Sequence, residues 1–302
     1  MNAEPILAKA ERFNRMTAEA LKRAEPVYTI PIAETRRKQA EWARARRVPD
    51  ADWLLPADAP GLRFHHLPLA APRAVYLHLH GGGWVLGGAD HQDPLLDHLR
   101  RRVGLAVLSL DYRLAPEHPF PAGLDDTTAA LRWLLDGGLS RFGCERLVIG
   151  GESAGAALAL GAMLRLSTHR EFTRIRLATL HYGTYEMAGR LPLLEDQPFL
   201  DAPLVAWYRR HYAGAVDWSH PELNPLWNVL PGMPPAHIVV GSADPVLSHS
   251  EALAAQWQAT GSAASLHVLP GGLHGLLELQ TPLTVTGREV VAKAVLAALT
   301  QG

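Results

Sequence analysis

Apolar residues return at three- and four-residue steps from the start of the chain. Ile6, Leu7, Ala10, Phe13, Met16, Ala20, Leu21 and Ala24 share one face, which predicts an amphipathic helix ending near Pro26. A second helix is predicted from Ile32 to Arg47, with Glu34, Arg36, Arg37 and Lys38 on its exposed side. The period then changes. Short apolar runs bounded by turn residues predict strands at 62–68, 73–79, 105–110, 146–150, 176–181, 236–241 and 264–269. Helices are predicted between them near 92–102, 123–137, 155–167, 249–260 and 282–299, and another, from about Pro198 to Tyr212, interrupts the alternation. Strand-helix alternation demands an α/β fold with a mainly parallel sheet covered on both faces, because each parallel connection must cross back over the sheet. The two N-terminal helices precede this pattern and have no sheet of their own to pack on, so they are expected to lie over another part of the molecule. Pro116 to Pro121 reads as a rigid loop within one domain rather than a linker, and no repeat or low-complexity tract is present.

Two glycine-rich junctions between these elements carry candidate chemistry. The buried-strand run Leu147-Val148-Ile149 leads into Gly151-Glu152-Ser153-Ala154-Gly155, and a helix follows at once. A strand-to-helix reversal this tight crowds the positions two residues either side of the serine, so both want glycine. The bend lifts the Ser153 hydroxyl above the carboxyl edge of the sheet, with the helix N-terminus and the Ala154 N–H aimed at an incoming carbonyl oxygen. Upstream, the run Arg73 to Leu79 ends in His80-Gly81-Gly82-Gly83-Trp84. Three glycines leave bare backbone whose N–H groups can approach an oxyanion, and one preorganised donor is typically worth about 3 kcal/mol in the transition state. Both junctions belong to one reaction type, acyl transfer through a tetrahedral intermediate.

Composition narrows the partners. With 302 residues, 48% hydrophobic, the chain can bury a substantial core in one large domain. A net charge of −1 gives no electrostatic case for nucleic acid. Arg100-Arg101-Arg102 and Arg36-Arg37-Lys38 read as solvated helix faces. Cys144 is the single cysteine, which leaves no internal disulfide to form and fits a reducing, cytoplasmic compartment. Charges within Met1 to Arg15 argue against a secretory signal, and no stretch approaches 18 apolar residues, so no membrane span is expected.

Three stretches, His80 to Trp84, Asp111 to Ala122 (DYRLAPEHPFPA) and Gly151 to Gly155, resemble the hormone-sensitive-lipase group of α/β-hydrolase carboxylesterases, over about residues 60 to 280. That resemblance implies an eight-stranded, mostly parallel sheet with a helical cap. The cap would be built from an N-terminal segment, residues 1–50, and a second one inserted at about 186–216 in a core spanning 51–302. It implies serine ester hydrolysis through an acyl-enzyme, with short-to-medium acyl esters as substrates and no cofactor or metal. In this fold the triad runs nucleophile, acid, histidine along the chain. Asp244, after the predicted strand 236–241 and before Pro245, is the expected acid. His274, in the loop Pro270-Gly271-Gly272-Leu273-His274-Gly275, is the expected base. The N–H groups of Gly82, Gly83 and Ala154 are the implied oxyanion hole. Trp84, Tyr185, Trp207 and Tyr208 are candidate pocket walls. Family members often pair through the last sheet edge, so a homodimer is compatible with the resemblance, although the sequence does not require one.

Competing roles are set by position. His267 lies inside a strand and reads as a pleat residue, and His249 lies where a helix begins and would cap it or face solvent. His78 and His80, two apart, would share a face, but no carboxylate or cysteine stands at ligand spacing nearby. Asp201 and Asp217 end no strand, and Glu152 reads as a helix-start carboxylate favoured by the macrodipole. Two departures stand out. Ser248 occupies the position where the group carries a second acid, and His181-Tyr182-Gly183-Thr184-Tyr185-Glu186 replaces its proline-containing stretch beside the acyl pocket. A tryptophan after the glycine run is similar to arylformamidases, so amide or formamide hydrolysis on the same triad is the alternative activity. A binding protein on the same scaffold, like the plant hormone receptors that resemble this group, is the non-catalytic alternative. Those typically lose the histidine that is present here as His274.

Overall fold

The computed structural model describes residues 5–189 and 199–300. Its strands are β1 (Asp52–Leu54), β2 (Phe64–Leu67), β3 (Ala74–Leu79), β4 (Leu105–Leu110), β5 (Leu147–Glu152), β6 (Ile175–His181), β7 (Ala236–Gly241) and β8 (Ala264–Leu269). They form one eight-stranded sheet in the order β1-β2-β4-β3-β5-β6-β7-β8. β1–β2 and β2–β4 are antiparallel and every other pair is parallel. Seven strands fall where the apolar runs predict them. The eighth, β1, is a three-residue edge strand paired only with β2, too short to show a period.

The helices are α1 (Ile6–Leu21), α2 (Ile32–Arg44), α3 (Asp93–Leu99), α4 (Ala122–Leu135), α5 (Ala154–Arg165), α6 (Ala202–Ala213), α7 (Leu247–Ala259) and α8 (Thr284–Thr300). One face of the sheet packs against α4, α5 and α7, where Leu77, Ile149 and Ile238 meet Leu131, Leu160 and Trp257. The other packs against α3 and α8, where Val107, Val148 and Val239 meet Leu96, Val291 and Val295. Each such aliphatic side chain contributes about 1.5–3 kcal/mol on burial. The central strands are buried on both faces, which explains why they read as continuous rather than alternating apolar runs.

Register decides which loops become neighbours. Leu79 pairs with Gly151 and Glu152 with His181, so both glycine-rich junctions leave the carboxyl edge side by side. Gly241 pairs with Leu269, which brings the loops after β7 and β8 together in the same way.

Three helices stand outside the alternation. α1 reaches the loop after β8, where Asn14 Nδ2 donates to the Gly271 carbonyl at 2.9 Å. α6 starts at Ala202 because Asp201 caps it, accepting from Leu204 N–H at 2.8 Å. The predicted start at Pro198 lies outside the described residues, as do residues 190–198 of the inserted segment. From α2, Arg36 donates to the carbonyls of Val85 and Ala115 and grips Glu117 with two parallel bonds of 3.0 Å. The solvated-face reading of the basic clusters is therefore wrong for one residue in each. Arg36 clamps two loops, and Arg100 is buried against Asp50, Asp97 and the Pro68 carbonyl. Their partners lie up to 81 residues away, beyond what a local charge pattern can report. Among the described residues no helix is long and apolar enough to cross a membrane.

Candidate active site

Ser153 sits at the turn between β5 and α5 with φ 54° and ψ −119°, a conformation that costs a non-glycine residue about 1–3 kcal/mol. Its N–H is held by the His181 carbonyl at 3.0 Å, so pairing with β6 carries the strain. The flanking glycines are explained by β3. A methyl group on Gly151 or Gly155 would overlap the carbonyl oxygen of Leu79. Gly155→Ala is accordingly expected to destabilise the fold by about 1–3 kcal/mol, seen as a lower urea midpoint with unchanged slope. A midpoint equal to that of the parent would contradict the close approach of β3 and α5.

Asp244 follows β7 and is fully buried. One carboxylate oxygen accepts the Val246 N–H at 3.0 Å, which fixes its rotamer. The neighbouring loop carries His274 and is stitched to the Asp244 loop by Ala243 N–H to the Gly272 carbonyl (3.0 Å) and Gly271 N–H to Ser242 Oγ (2.8 Å). His274 Nδ1 lies 3.0 and 3.1 Å from the two Asp244 oxygens, and Nε2 lies 2.9 Å from Ser153 Oγ. A carboxylate only accepts, so Nδ1 carries the proton and Nε2 accepts from the serine hydroxyl. Burial pulls the His274 pKa down, but the Asp244 charge and hydrogen bond, with the charge of Glu278, leave it above the ordinary imidazole value.

The glycine loop after β3 stands against the nucleophile: a methyl group on Gly81 would lie 3.5 Å from Ser153 Cβ. Gly82 and Gly83 have φ of 110° and 60°, and Trp84 follows at 62°, a run of left-handed backbone that glycine adopts at no steric cost. The N–H groups of Gly82, Gly83 and Ala154 find no backbone acceptor among the described residues. Beneath the loop, Tyr112 stacks on His80 with ring centres 4.2 Å apart and donates its hydroxyl to the His80 carbonyl at 2.7 Å. Burial holds the His80 pKa down to about 3, so it supports the loop as a neutral ring.

The pocket residues divide. Trp84 and Tyr208 line a narrow crevice beside Ser153, with Gly83, Ala154, Thr184 and Leu200 among its other walls and ≈ 20 Å³ of room, about enough for one water. Trp84 is fixed there by stacking on Tyr212, ring centres 4.4 Å apart. Tyr185 and Trp207 are not among its walls. Tyr185 is fully buried in the core cluster that also takes in the α5 side chains, and Trp207 packs against Val85, Leu86 and Ala115.

Two secondary expectations are corrected, those for Glu152 and His249. Glu152, read as a helix-start carboxylate, belongs instead to the strand before the helix. It is wholly buried at the end of β5 and pairs at 2.7 Å with His78, whose other nitrogen meets Ser109 Oγ. His249 neither caps nor faces water: it is buried with both ring nitrogens unpartnered. Asp201 caps α6 and Asp217 accepts in a turn. Among the described residues no group of three or more His, Cys, Asp or Glu is arranged to hold a metal ion.

Sequence reasoning missed Tyr182 and Glu278. Tyr182, at φ 35°, lays its ring edge-on to His274 with centres 5.2 Å apart, and its hydroxyl points to Glu278 Oε1 at 3.4 Å. Burial, and then the charge of Glu152, push the Glu278 carboxyl up to about 7. The signal available in sequence was the unusual stretch from His181, which marked the place but not the contact.

A strained serine at the end of a central strand, hydrogen-bonded to a histidine that a buried carboxylate orients, defines the class of α/β serine hydrolases. The chain belongs to the alpha/beta hydrolase fold family, which it matches over residues 76–278. It is 31% identical over 212 residues to an ethyl acetate hydrolase of Pseudomonas putida, covering 68% of this chain and 67% of that protein. It is 32% identical over 231 residues to carboxylesterase NlhH of Mycobacterium tuberculosis, covering 72% of each. A crystal structure of an esterase from the bacterial hormone-sensitive lipase family superposes with a TM-score of 0.80 at 27% identity, over 100% of this chain and 99% of that one.

Proposed function

We propose that the chain is a serine carboxylesterase acting on short-to-medium acyl esters through an acyl-enzyme. The observation that carries the reading is the continuous relay from Asp244 through His274 to Ser153, with every link between 2.9 and 3.1 Å. Ser153 Oγ attacks the ester carbonyl as His274 Nε2 takes its proton. Asp244 holds the Nδ1–H tautomer and stabilises the imidazolium. The N–H groups of Gly82, Gly83 and Ala154 receive the oxyanion, and His274 then protonates the departing alkoxide. Water, activated by the same histidine, releases the acid and restores the serine. The ester-cleaving names of the relatives support this substrate class.

A series of p-nitrophenyl esters from acetate to octanoate, with N-formylkynurenine alongside, tests the assignment. Turnover should be highest on the shorter esters. Faster cleavage of the formamide than of any ester would replace this activity with amide hydrolysis.

The pH profile carries a sign. Protonated His274 cannot act as a base, so kcat/KM should fall as pH drops, with a midpoint above about 6.5 because Asp244 and Glu278 favour the imidazolium. Glu278→Gln removes one of these charges and should move the acidic limb to lower pH. A rate flat down to about pH 4 would contradict a histidine base.

The same proposal gives α1, α2 and α6 a capping role, residues 1–50 and about 186–216 covering a core spanning 51–302. It places a second copy, in a homodimer, along the outer edge of β8, where Val268 is 37% exposed. Light scattering reads the mass directly. A cytoplasmic location rests on the single cysteine, Cys144.

A further inference from the structure

One wall of the crevice beside Ser153 is out of keeping with the others. Trp84, Leu200, Val205 and Tyr208 are apolar or aromatic there, and Arg209 of α6 is a cation. Three other partly buried or buried arginines are well partnered: Arg36 grips Glu117, Arg100 grips Asp50 and Asp97, and Arg165 grips Glu222 and Asp125. Arg209 is not. Its Nε is shielded from solvent and donates to nothing. Among the described residues its one hydrogen bond runs from Nη2 to the Glu186 backbone carbonyl at 3.5 Å, the limit of such a contact. The guanidinium stands 5.9 Å from the Trp218 ring centre. Among the described residues no carboxylate lies within 4.0 Å of it, although the Glu186 charge attracts it from further away.

His249, near enough to feel the Arg209 charge, is fully buried with neither ring nitrogen bonded. Burial and then the Arg209 charge hold the His249 pKa down to about 4, so at neutral pH this ring is uncharged and has one N–H to give. Burial likewise depresses the Arg209 pKa, because the charge has lost water without gaining enough partners. A guanidinium left short of acceptors binds a carboxylate well, since two parallel charged hydrogen bonds replace what desolvation removed.

We propose that the substrate is an ester carrying a second, free carboxylate, of which the hemi-ester of a short dicarboxylic acid is the simplest form, and that Arg209 is the residue selecting it. This rests on the esterase reading. For monoethyl succinate, Ser153 Oγ bonds to the ester carbonyl carbon and the carbon–ethoxide bond breaks. Ethoxide leaves as ethanol with the proton held by His274. Water then cleaves the succinyl-enzyme to succinate and regenerates the serine.

The test compares kcat/KM for monoethyl succinate with that for ethyl 4-methylpentanoate, whose two methyl groups replace the two carboxylate oxygens in nearly the same shape. The parent protein should prefer the charged ester by about 10-fold or more. Arg209→Met should reverse that preference, and Arg209→Lys should keep part of it. A parent protein that prefers the neutral ester overturns the proposal whether or not a variant folds, and so does an unchanged ratio in both variants. Failure of the parent to cleave either ester or p-nitrophenyl acetate would instead overturn the esterase reading, and this one with it. Cleavage of p-nitrophenyl acetate together with preference for the neutral ester isolates the failure to Arg209.

Discussion

Ser153→Ala is expected to lower kcat on p-nitrophenyl acetate by about a million-fold, roughly 8 kcal/mol of transition-state stabilisation. The size follows from what the substitution removes: the attacking atom itself, and with it any route to an acyl-enzyme. The residual rate would come from the oxyanion donors and from binding alone. The fold should survive, because Ser153 contributes no cap hydrogen bond to α5 and its N–H, held by the His181 carbonyl, is kept by alanine. Circular dichroism matching the parent, together with the lost rate, is the expected pair of results. A loss of less than about 100-fold would mean that another group attacks.

His274→Ala is expected to cost nearly as much, and the double substitution with Ser153→Ala should cost no more than either alone. Residues that act as one unit are not additive: once the base is gone the serine hydroxyl is an ordinary alcohol, and once the serine is gone the base has no proton to take. The 2.9 Å contact between Nε2 and Oγ is what makes the two a unit. Losses that simply multiply would show that the histidine and serine act independently, against the geometry.

The parts legible in the sequence are those with a local cause. Buried strands announce themselves as apolar runs, and Gly151 and Gly155 announce a close approach that proved to be the Leu79 carbonyl. The three triad candidates, 121 residues apart at the extremes, were placed by chain order on strand ends, and parallel register brings those ends together. What stayed hidden depends on partners far along the chain. Arg36 and Arg100 look like surface charge until Glu117 and Asp50 are set against them. Glu152 looks like a helix-start acid until His78, 74 residues away, is seen to hold it. Tyr185 and Trp207 carry the same ring chemistry as Trp84 and Tyr208, and only packing decides which pair faces the crevice. Tyr182 and Arg209 depend on contacts of the same distant kind: the Tyr182 ring lies edge-on to His274, and Arg209 Nε is buried without an acceptor.

The central claim is that Ser153 is a nucleophile made reactive by His274, and covalent trapping tests it most directly. Treatment with a p-nitrophenyl alkylphosphonate, followed by intact-mass and peptide mass spectrometry, should give one adduct per chain, located on Ser153. The adduct should be absent in Ser153→Ala and form far more slowly in His274→Ala. Labelling at another residue, or equal labelling rates with and without the His274 imidazole, would contradict the account.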